Sequence, residues 1–302
     1  MEIKDSILET VGETPLVRLG RIGAPPGVEI LAKLEGANPM GSVKERIALE
    51  IVQAAVLDGS LTSEKIILES SSGNTGIGLA MVGAVLGYRV VITMPDSVSV
   101  ERRKILRALG AELVLAPGGS DAAWGLADSM CSRDPDRYFR ADQYRTARNP
   151  QAHYRHTAME IWRQTEGRLS AMVATLGTTG TVVGAGRRLK ELDPRIRVVA
   201  AEPQVGHKQQ GLRNLKESRV PEIWDPSVVD ETIEVGDDEA FSAARDLARR
   251  EGIFGGISSG TAVHAALELA RKEPRRYREA PIVAILPDRG EKYLSTSLFA
   301  EP

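Results

Sequence analysis

Short apolar segments alternate with helical patterns along almost the whole chain, and this alternation constrains the fold more than any other feature. Runs rich in aliphatic residues predict strands at residues 29–34, 65–68, 89–94, 112–115, 171–176, 197–201 and 281–286. Helical patterns lie between them, for example at 44–57, 99–109, 151–165, 238–250 and 261–272. Strands that are apolar at nearly every position are typical of parallel sheets covered by helices on both faces. The sequence therefore predicts an α/β fold.

The length of the chain indicates two such sheets. A chain of 302 residues exceeds one typical domain, and each half can bury a core of its own. We expect an N-terminal domain over 1–146 and a C-terminal domain over 147–302, with the joint near 140–150, where Asp142-Gln143-Tyr144-Arg145 gives way to Asn149-Pro150. Each domain is predicted to be an open, twisted and mostly parallel sheet with helices on both faces.

Charge and composition exclude several classes of function. Lysine and arginine together number 39 against 41 for aspartate and glutamate, which gives a net charge of −2. That balance argues against a nucleic acid or an anionic membrane bound by bulk charge. No apolar stretch is long enough to span a bilayer, and the first residues lack a secretory leader pattern. We therefore expect a cytoplasmic protein.

Residues that could ligate a metal or form a disulfide are few. Cys131 is the only cysteine, so no intrachain disulfide can form, and its helical surroundings indicate a packing role. His153 and His156 lie on one predicted helix, while His207 and His264 are isolated in the sequence. None has partners at the spacing of a metal site, so we expect no catalytic metal.

Ligands of open parallel sheets bind at the carboxyl ends of strands, on the loops that open helices. This rule selects residues 69–76, 177–181, 255–260 and 287–290. We name 69–76 the serine loop and 177–181 the threonine loop.

The threonine loop, Gly177-Thr178-Thr179-Gly180-Thr181, follows a predicted strand directly and opens a helix. Its amides and hydroxyls would suit a phosphate at the positive end of the helix dipole, although a tight strand-to-helix turn explains the same residues. The lysine of a nucleotide-binding P-loop is missing. The glycines run G-x-x-G-x-x-x-G, which disfavours a dinucleotide even though Glu202 ends the next strand.

The serine loop, ESSSGNTG, offers hydroxyls and amides that suit a small anion such as a carboxylate. A phosphate cradle beside a carboxylate cradle suggests a phosphorylated cofactor and an amino-acid substrate. That combination calls for a lysine, and Lys44 stands where a loop meets an apolar-striped helix. Spacing alone leaves two alternatives for Lys44, a solvated charge or a desolvated lysine that forms Schiff bases.

The ordered motifs of the chain carry a resemblance to a known family. They are NPMGSVKERIA, ESSSGNTGIGLAM, NPQAHYRHTAMEIW, LGTTGTVVGAGRRLK, REGIFGGISSGTAV and PDRGEKYLST. Together they resemble the cysteine synthase family of fold type II pyridoxal-phosphate enzymes, above all its cysteine synthase B (O-acetylserine sulfhydrylase) branch. The resemblance runs from Val11 to Thr296. It implies a fold like that of the tryptophan synthase β subunit, with strands at about 12–35 crossing to the other domain, and a homodimer.

Pyridoxal 5′-phosphate is the cofactor that the resemblance implies. Lys44 would be the Schiff-base lysine and the base for the α-proton. Asn74 would hydrogen-bond the ring hydroxyl, and Ser258 would face the pyridine nitrogen. The 5′-phosphate would lie on Gly177, Thr178, Thr179, Gly180 and Thr181. A neutral serine hydroxyl cannot keep the pyridine nitrogen protonated, which weakens the electron sink and favours concerted loss of a β-leaving group.

The resemblance also implies how the substrate is held. The α-carboxylate of an amino acid would be bound by Ser71, Ser72, Thr75, the amide of Asn74 and Gln143. Arg213 lies in a polar segment after the strand that ends near Glu202. This arginine is either a solvated surface residue or a partner for a second anionic group of the substrates.

The implied activity is that of a transferase acting on small molecules. It would replace the acetate of O-acetyl-L-serine by sulfide, giving L-cysteine, or by thiosulfate, giving S-sulfocysteine. O-phosphoserine as the donor and a cystathionine β-synthase-like replacement stay open. From a different class, a non-catalytic protein could bind a peptide carboxyl terminus here, but Lys44, Asn74 and Ser258 together argue for chemistry.

Departures from the family pattern remove no catalytic group. Glu45 stands where the family usually has aspartate, and Pro287 stands where the cysteine synthase B branch often has cysteine. Within the serine loop, Ser70 stands where the family usually has proline or alanine. Ser71 stands where it usually has threonine, so a hydroxyl is kept at that position.

Overall fold

The computed structural model describes residues 3–71, 73–98 and 100–299. These residues form two compact units. Unit one comprises the residues up to Val11 together with Asn38–Asn149, and unit two comprises Gly12–Ala37 together with the chain from Pro150 onward.

The strands and helices alternate as the sequence predicts. The strands are β1 Leu16–Arg18, β2 Ile30–Leu34, β3 Ile66–Ser70, β4 Val90–Pro95, β5 Glu112–Ala116, β6 Tyr138–Arg140, β7 Ala171–Thr175, β8 Arg197–Pro203, β9 Glu231–Val235 and β10 Ile282–Leu286. The helices are α1 Lys44–Leu57, α2 Asn74–Leu86, α3 Val100–Ala108, α4 Ser120–Arg133, α5 Arg148–Ala152, α6 Ala158–Gln164, α7 Gly180–Leu192, α8 Asp237–Asp246 and α9 Ile257–Lys272. Two π-helical segments, His153–Thr157 and Leu247–Glu251, follow α5 and α8.

Unit one holds a four-stranded sheet in the order β5-β4-β3-β6, and every pair in it is parallel. β3 and β4 are buried at every position. Ile66 and Leu68 of β3 pack with Val91 of β4 and Ala127 of α4 on one face of the sheet. The near-continuous apolar character of these strands is therefore explained by a parallel sheet with little exposed face.

Unit two holds a six-stranded sheet in the order β1-β2-β10-β7-β8-β9. All of its pairs are parallel except β1 with β2, where Val17 stands opposite Ala32. Ala171 and Val173 of β7 contribute to one buried cluster, while the alternate residues Met172 and Ala174 contribute to another. Both faces of the sheet are thus covered, and the predicted fold class is confirmed.

Three features differ from the sequence-based expectation. The helix predicted at 261–272 begins at Ile257, so part of the predicted loop 255–260 is the first turn of α9. Its opening residues are small and polar, and they lack the apolar period that marks a helix in a sequence. The helix predicted at 151–165 is interrupted by the π-helical segment at 153–157, which periodicity does not reveal. Strand β6 was not predicted because it is only three residues long, whereas β1 lies within the strands at about 12–35 that the resemblance implies.

No helix in the described part of the chain is long and apolar enough to cross a bilayer.

Helices α8 and α9 cross so closely that a side chain at Gly260 has no room. A Cβ atom there would lie 2.0 Å from the carbonyl oxygen of Ala240 and 2.7 Å from the amide nitrogen of Ala244. By contrast, a Cβ atom at Gly125, an exposed position of α4, would meet nothing within 4 Å. The same substitution at these two glycines is thus expected to have opposite effects.

We predict that Gly260→Ala lowers the thermal unfolding midpoint, because overpacking against backbone costs about 1–3 kcal/mol or more. Gly125→Ala should leave the midpoint unchanged or raise it, since alanine is favoured over glycine in a helix by about 0.5–1 kcal/mol. Circular dichroism melts of both variants test this. An unchanged midpoint for Gly260→Ala would contradict the packing of α8 on α9.

Candidate active site

The candidate residues divide between the two units. Lys44, Asn74, Thr75, Gln143 and Ser71 belong to unit one, whereas the threonine loop, Arg213 and Ser258 belong to unit two. Ser72, predicted to bind a substrate carboxylate, lies outside the described residues.

Lys44 is the first residue of α1, and a buried acid fixes the turn before it. The Glu45 carboxylate accepts hydrogen bonds from the backbone N–H of Ser42, at 3.0 Å, and from its hydroxyl, at 2.6 Å. The Ser42 hydroxyl oxygen accepts in turn from the Lys44 N–H at 3.2 Å. This reciprocal arrangement resembles a capping box. The glutamate that departs from the family pattern is thus the residue that holds the start of α1.

Gly78 lets α2 approach the same turn. A Cβ atom at Gly78 would lie 3.1 Å from the Cβ of Ala48 and 3.2 Å from the carbonyl oxygen of Lys44. The absence of a side chain therefore brings α2, which the serine loop opens, against the helix that begins at Lys44.

The Ser71 hydroxyl caps the start of α2. Its oxygen accepts hydrogen bonds from the N–H of Gly73 at 3.2 Å and from the N–H of Gly76 at 3.1 Å. The Ser71 amide donates to the carbonyl of Thr93 at 3.1 Å, which ties the loop to β4. A hydroxyl oxygen that accepts two N–H groups can still donate its own proton to an anion.

Gln143 reaches the serine loop from the far end of unit one in sequence. The Thr75 hydroxyl donates to the side-chain oxygen of Gln143 at 2.6 Å, and the side-chain nitrogen of Gln143 donates to the Ser70 carbonyl at 3.3 Å. The Asn149 side chain donates to the Gln143 carbonyl at 2.7 Å. Gln143, Thr75 and Ser71 are therefore assembled around one loop, as the resemblance implies.

Glu69 is a buried acid at this loop that the sequence analysis missed. It is fully buried, and its carboxylate accepts from the N–H of Ser70 at 3.0 Å and the N–H of Gln143 at 3.3 Å. The same carboxylate forms an ion pair with the Arg140 guanidinium at 3.1 Å. Burial raises the pKa of Glu69, and Arg140 opposes that rise. The available signal was a lone acid in an otherwise apolar strand. Glu69 thus joins the ends of β3 and β6.

The threonine loop leaves a buried hydroxyl without a hydrogen-bond partner. Thr179 is 2% exposed, and its Oγ1 has none among the described residues. Its φ of 70° lies in the left-handed region, which is strained for a β-branched residue. An unpaired buried hydroxyl at the start of α7, at the positive end of the helix dipole, fits an anion.

Neighbouring segments of unit two shape this loop. A Cβ atom at Gly177 would lie 2.9 Å from the carbonyl oxygen of Gly211, so glycine is required where the two loops meet. The Arg213 N–H donates to the Leu176 carbonyl at 2.8 Å. The backbone of Arg213 thus lies beside the threonine loop, within the same unit.

Ser258 lies in the first turn of α9 and is 5% exposed. The loop after β10 holds that turn, because the Gly256 N–H donates to the Asp288 carbonyl at 3.1 Å and the Ser259 hydroxyl donates to it at 3.3 Å. Tyr293 donates to the Asp288 carboxylate at 2.6 Å. The Asp-Arg-Gly motif at residues 288–290 therefore positions the helix that carries Ser258.

Across residues 3–71, 73–98 and 100–299, no group of three or more histidine, cysteine, aspartate or glutamate residues is arranged to hold a metal ion.

Comparison with known proteins identifies the family of this chain. Residues 7–288 match the pyridoxal-phosphate dependent enzyme family. Cysteine synthase B of Salmonella typhimurium strain LT2 is 44% identical over 299 residues, 98% of this chain and 97% of the relative. A solved cysteine synthase (OASS) from Entamoeba histolytica has a TM-score of 0.94 at 40% identity, covering 100% of this chain and 92% of that one. A solved O-ureido-L-serine synthase has a TM-score of 0.92 at 43% identity, covering 99% and 96%.

The fold, together with hydroxyl-rich loops at the starts of α2 and α7, is that of the fold type II pyridoxal-phosphate enzymes. The chain belongs to the pyridoxal-phosphate-dependent enzyme family, and the resemblance to cysteine synthases predicted from its motifs is confirmed. Its cofactor is pyridoxal 5′-phosphate. The Thr179 hydroxyl, which has no partner within the described part of the chain, fits the phosphate of that cofactor.

We predict that Thr179→Gly raises the Kd for pyridoxal phosphate about tenfold to hundredfold, since a hydrogen bond to a charged group contributes about 1.5–3 kcal/mol. Glycine accepts the left-handed φ, so the apoprotein should unfold at no lower temperature. Thr165→Ala is the control, because the Thr165 hydroxyl donates to the Ile161 carbonyl at 2.8 Å. Absorbance titration of the apoprotein measures the affinity. Unchanged affinity for Thr179→Gly would remove this hydroxyl from the cradle.

Proposed function

We propose that this chain is a cysteine synthase, a transferase that replaces the acetate of O-acetyl-L-serine by sulfide or thiosulfate. The products are L-cysteine or S-sulfocysteine, together with acetate. The observation that carries the proposal is the buried hydroxyl of Thr179, which lacks a partner among the described residues where a cofactor phosphate would bind. Similarity to cysteine synthases over nearly the whole chain supports the same reaction.

Lys44 is the residue that we assign to the cofactor and to proton transfer. When bound, pyridoxal phosphate would withdraw electrons from the Cα of an amino acid, which makes its α-proton acidic; the electron pair of that bond can then expel the β-substituent from Cβ. Lys44 would hold the cofactor covalently and move the α-proton with its Nζ atom. The hydrogen bonds between Ser42 and Glu45 fix the backbone from which that side chain extends.

The serine loop is assigned to the α-carboxylate of the substrate. Ser71 would donate its hydroxyl proton, and Thr75 and Gln143 would exchange their mutual hydrogen bond for bonds to the carboxylate. The N–H groups at the start of α2 add a favourable electrostatic field. Ser72 and the amide of Asn74 are assigned to the same group from the family resemblance, and the Asn74 side chain to the cofactor ring hydroxyl.

Ser258 is assigned to the pyridine nitrogen of the cofactor. A neutral hydroxyl and the positive end of the α9 dipole both disfavour a proton on that nitrogen. The electron sink is then weaker than one with a carboxylate partner, which favours direct loss of the acetate over a long-lived carbanion.

Other donors and nucleophiles fit the same site. O-phosphoserine could replace O-acetylserine, a cystathionine β-synthase-like replacement uses related chemistry, and a solved neighbour is an O-ureido-L-serine synthase. A protein that only binds a peptide carboxyl terminus would be colourless after purification and would not change its visible spectrum when O-acetylserine is added.

The biological setting is also a proposal. We propose a cytoplasmic homodimer that acts on small molecules, with unit one and unit two as its N-terminal and C-terminal domains. Size-exclusion chromatography with light scattering tests the oligomeric state.

We predict that Lys44→Ala abolishes turnover, because it removes both the covalent attachment and the proton-transfer base. The wild-type protein should be yellow, and borohydride reduction followed by peptide mapping should place the cofactor on Lys44. Lys104→Ala, at an exposed lysine of α3, is the control and should keep full activity. A reduced adduct on another lysine would overturn the assignment.

Arg213 is expected to serve anionic co-substrates. Its guanidinium could pair with the phosphate of O-phosphoserine or the sulfonate end of thiosulfate, whereas O-acetylserine and sulfide offer no such group. Arg213→Ala should therefore lower kcat/KM for the anionic co-substrates far more than for O-acetylserine with sulfide. Lys216→Ala, an exposed cation of the same segment, is the control. Equal losses of kcat/KM for all substrates would show that Arg213 has a structural role. No loss for any substrate would show that it is a solvated surface residue.

A further inference from the structure

A buried histidine connects a π-helical segment to the threonine loop. His153 is fully buried and begins the π-helix at 153–157. Its Nδ1 lies 2.9 Å from the Thr157 hydroxyl, and its Nε2 lies 3.2 Å from the Thr181 hydroxyl. Thr181 is half-buried in the first turn of α7. π-Helical turns inside helices are rare and are often found at functional sites.

The two possible proton positions on a neutral imidazole have opposite consequences for Thr181. If Nδ1 carries the proton, Nε2 must accept the proton of the Thr181 hydroxyl, which then presents only lone pairs to an anion. If Nε2 carries the proton, it donates to the Thr181 oxygen, and the Thr181 proton remains to be donated to the anion. The Thr157 hydroxyl can satisfy either form of Nδ1, because a hydroxyl both donates and accepts. An anion at the start of α7 therefore selects the Nε2–H form.

We propose that His153 is a positioning residue, whose Nε2–H turns the proton of the Thr181 hydroxyl toward the 5′-phosphate of the cofactor. This inference rests on the proposed assignment of the threonine loop to that phosphate. His153 is fully buried behind Thr181, to which its Nε2 is hydrogen-bonded. Its contribution passes through Thr181.

Paired variants test the direction of this hydrogen bond. His153→Leu removes the donor and should raise the Kd for pyridoxal phosphate about tenfold, while leaving the Kd for pyridoxal, which lacks the phosphate, unchanged. His153→Gln places an amide N–H near the position of Nε2 and should restore most of the affinity. His156→Leu, at an exposed position of the same π-helix, is the matched control and should bind as the wild type does.

A double-mutant cycle then shows whether His153 acts through Thr181. Thr181→Ala alone should weaken pyridoxal phosphate binding, and adding His153→Leu should weaken it little further. Additive losses would mean that His153 supports the site by packing alone and would overturn the proposal. Equal losses for pyridoxal and pyridoxal phosphate would overturn it as well.

Nitrogen-15 NMR of the holoenzyme gives a readout that does not depend on any variant folding. The chain has only four histidines, which simplifies assignment. The His153 signals should be those of the neutral Nε2–H form, and an Nδ1–H form would contradict the proposal. Failure of the loop assignment is distinguishable, because Thr179→Gly would then also leave pyridoxal phosphate binding unchanged.

Discussion

A parallel sheet must be covered on both faces, and the rest of this structure follows from that constraint. Neighbouring parallel strands can only be joined by crossovers, so every strand in such a sheet ends at the same edge. In unit one, β3 and β6 are neighbours with Leu68 opposite Arg140, which brings the serine loop beside Gln143. In unit two, β7 and β10 are neighbours with Val173 opposite Ala284, so the threonine loop and the Asp-Arg-Gly motif end at one edge. The site residues follow these buried strands at that edge of each sheet.

Loops made of glycine, serine and threonine do not hold a shape by themselves, and buried acids hold them here. The Glu45 carboxylate fixes the turn before α1, and the Glu69 carboxylate accepts from the N–H of Gln143. The backbone carbonyl of Asp288 accepts from Gly256 and Ser259 at the start of α9. Each of the two glutamate carboxylates accepts backbone N–H groups, which offset part of the unfavourable burial of its charge. These hydrogen bonds preorganise the loops that carry the site residues.

The threonine loop, in contrast, retains two energetically unfavourable features at Thr179. Thr179 combines a left-handed backbone with a buried hydroxyl that lacks a partner among the described residues. Both features destabilise the apoprotein, and an anion that accepts from the hydroxyl would remove one of them. Cofactor binding should therefore raise the stability of unit two, as any ligand that binds only the folded state does.

The sequence by itself determined the α/β class, the positions of most strands and the loops that could carry chemistry. Hydrophobic patterning is local, so α1 was predicted with its observed bounds and Lys44 at its start. Only the tertiary structure decided which distant side chains meet, such as Thr75 with Gln143, or His153 with Thr181. It also decided that the Glu69 carboxylate accepts from the distant N–H of Gln143. Such contacts depend on strand order and register, which crossover connections leave open in the sequence, and on a π-helical turn that no apolar period records.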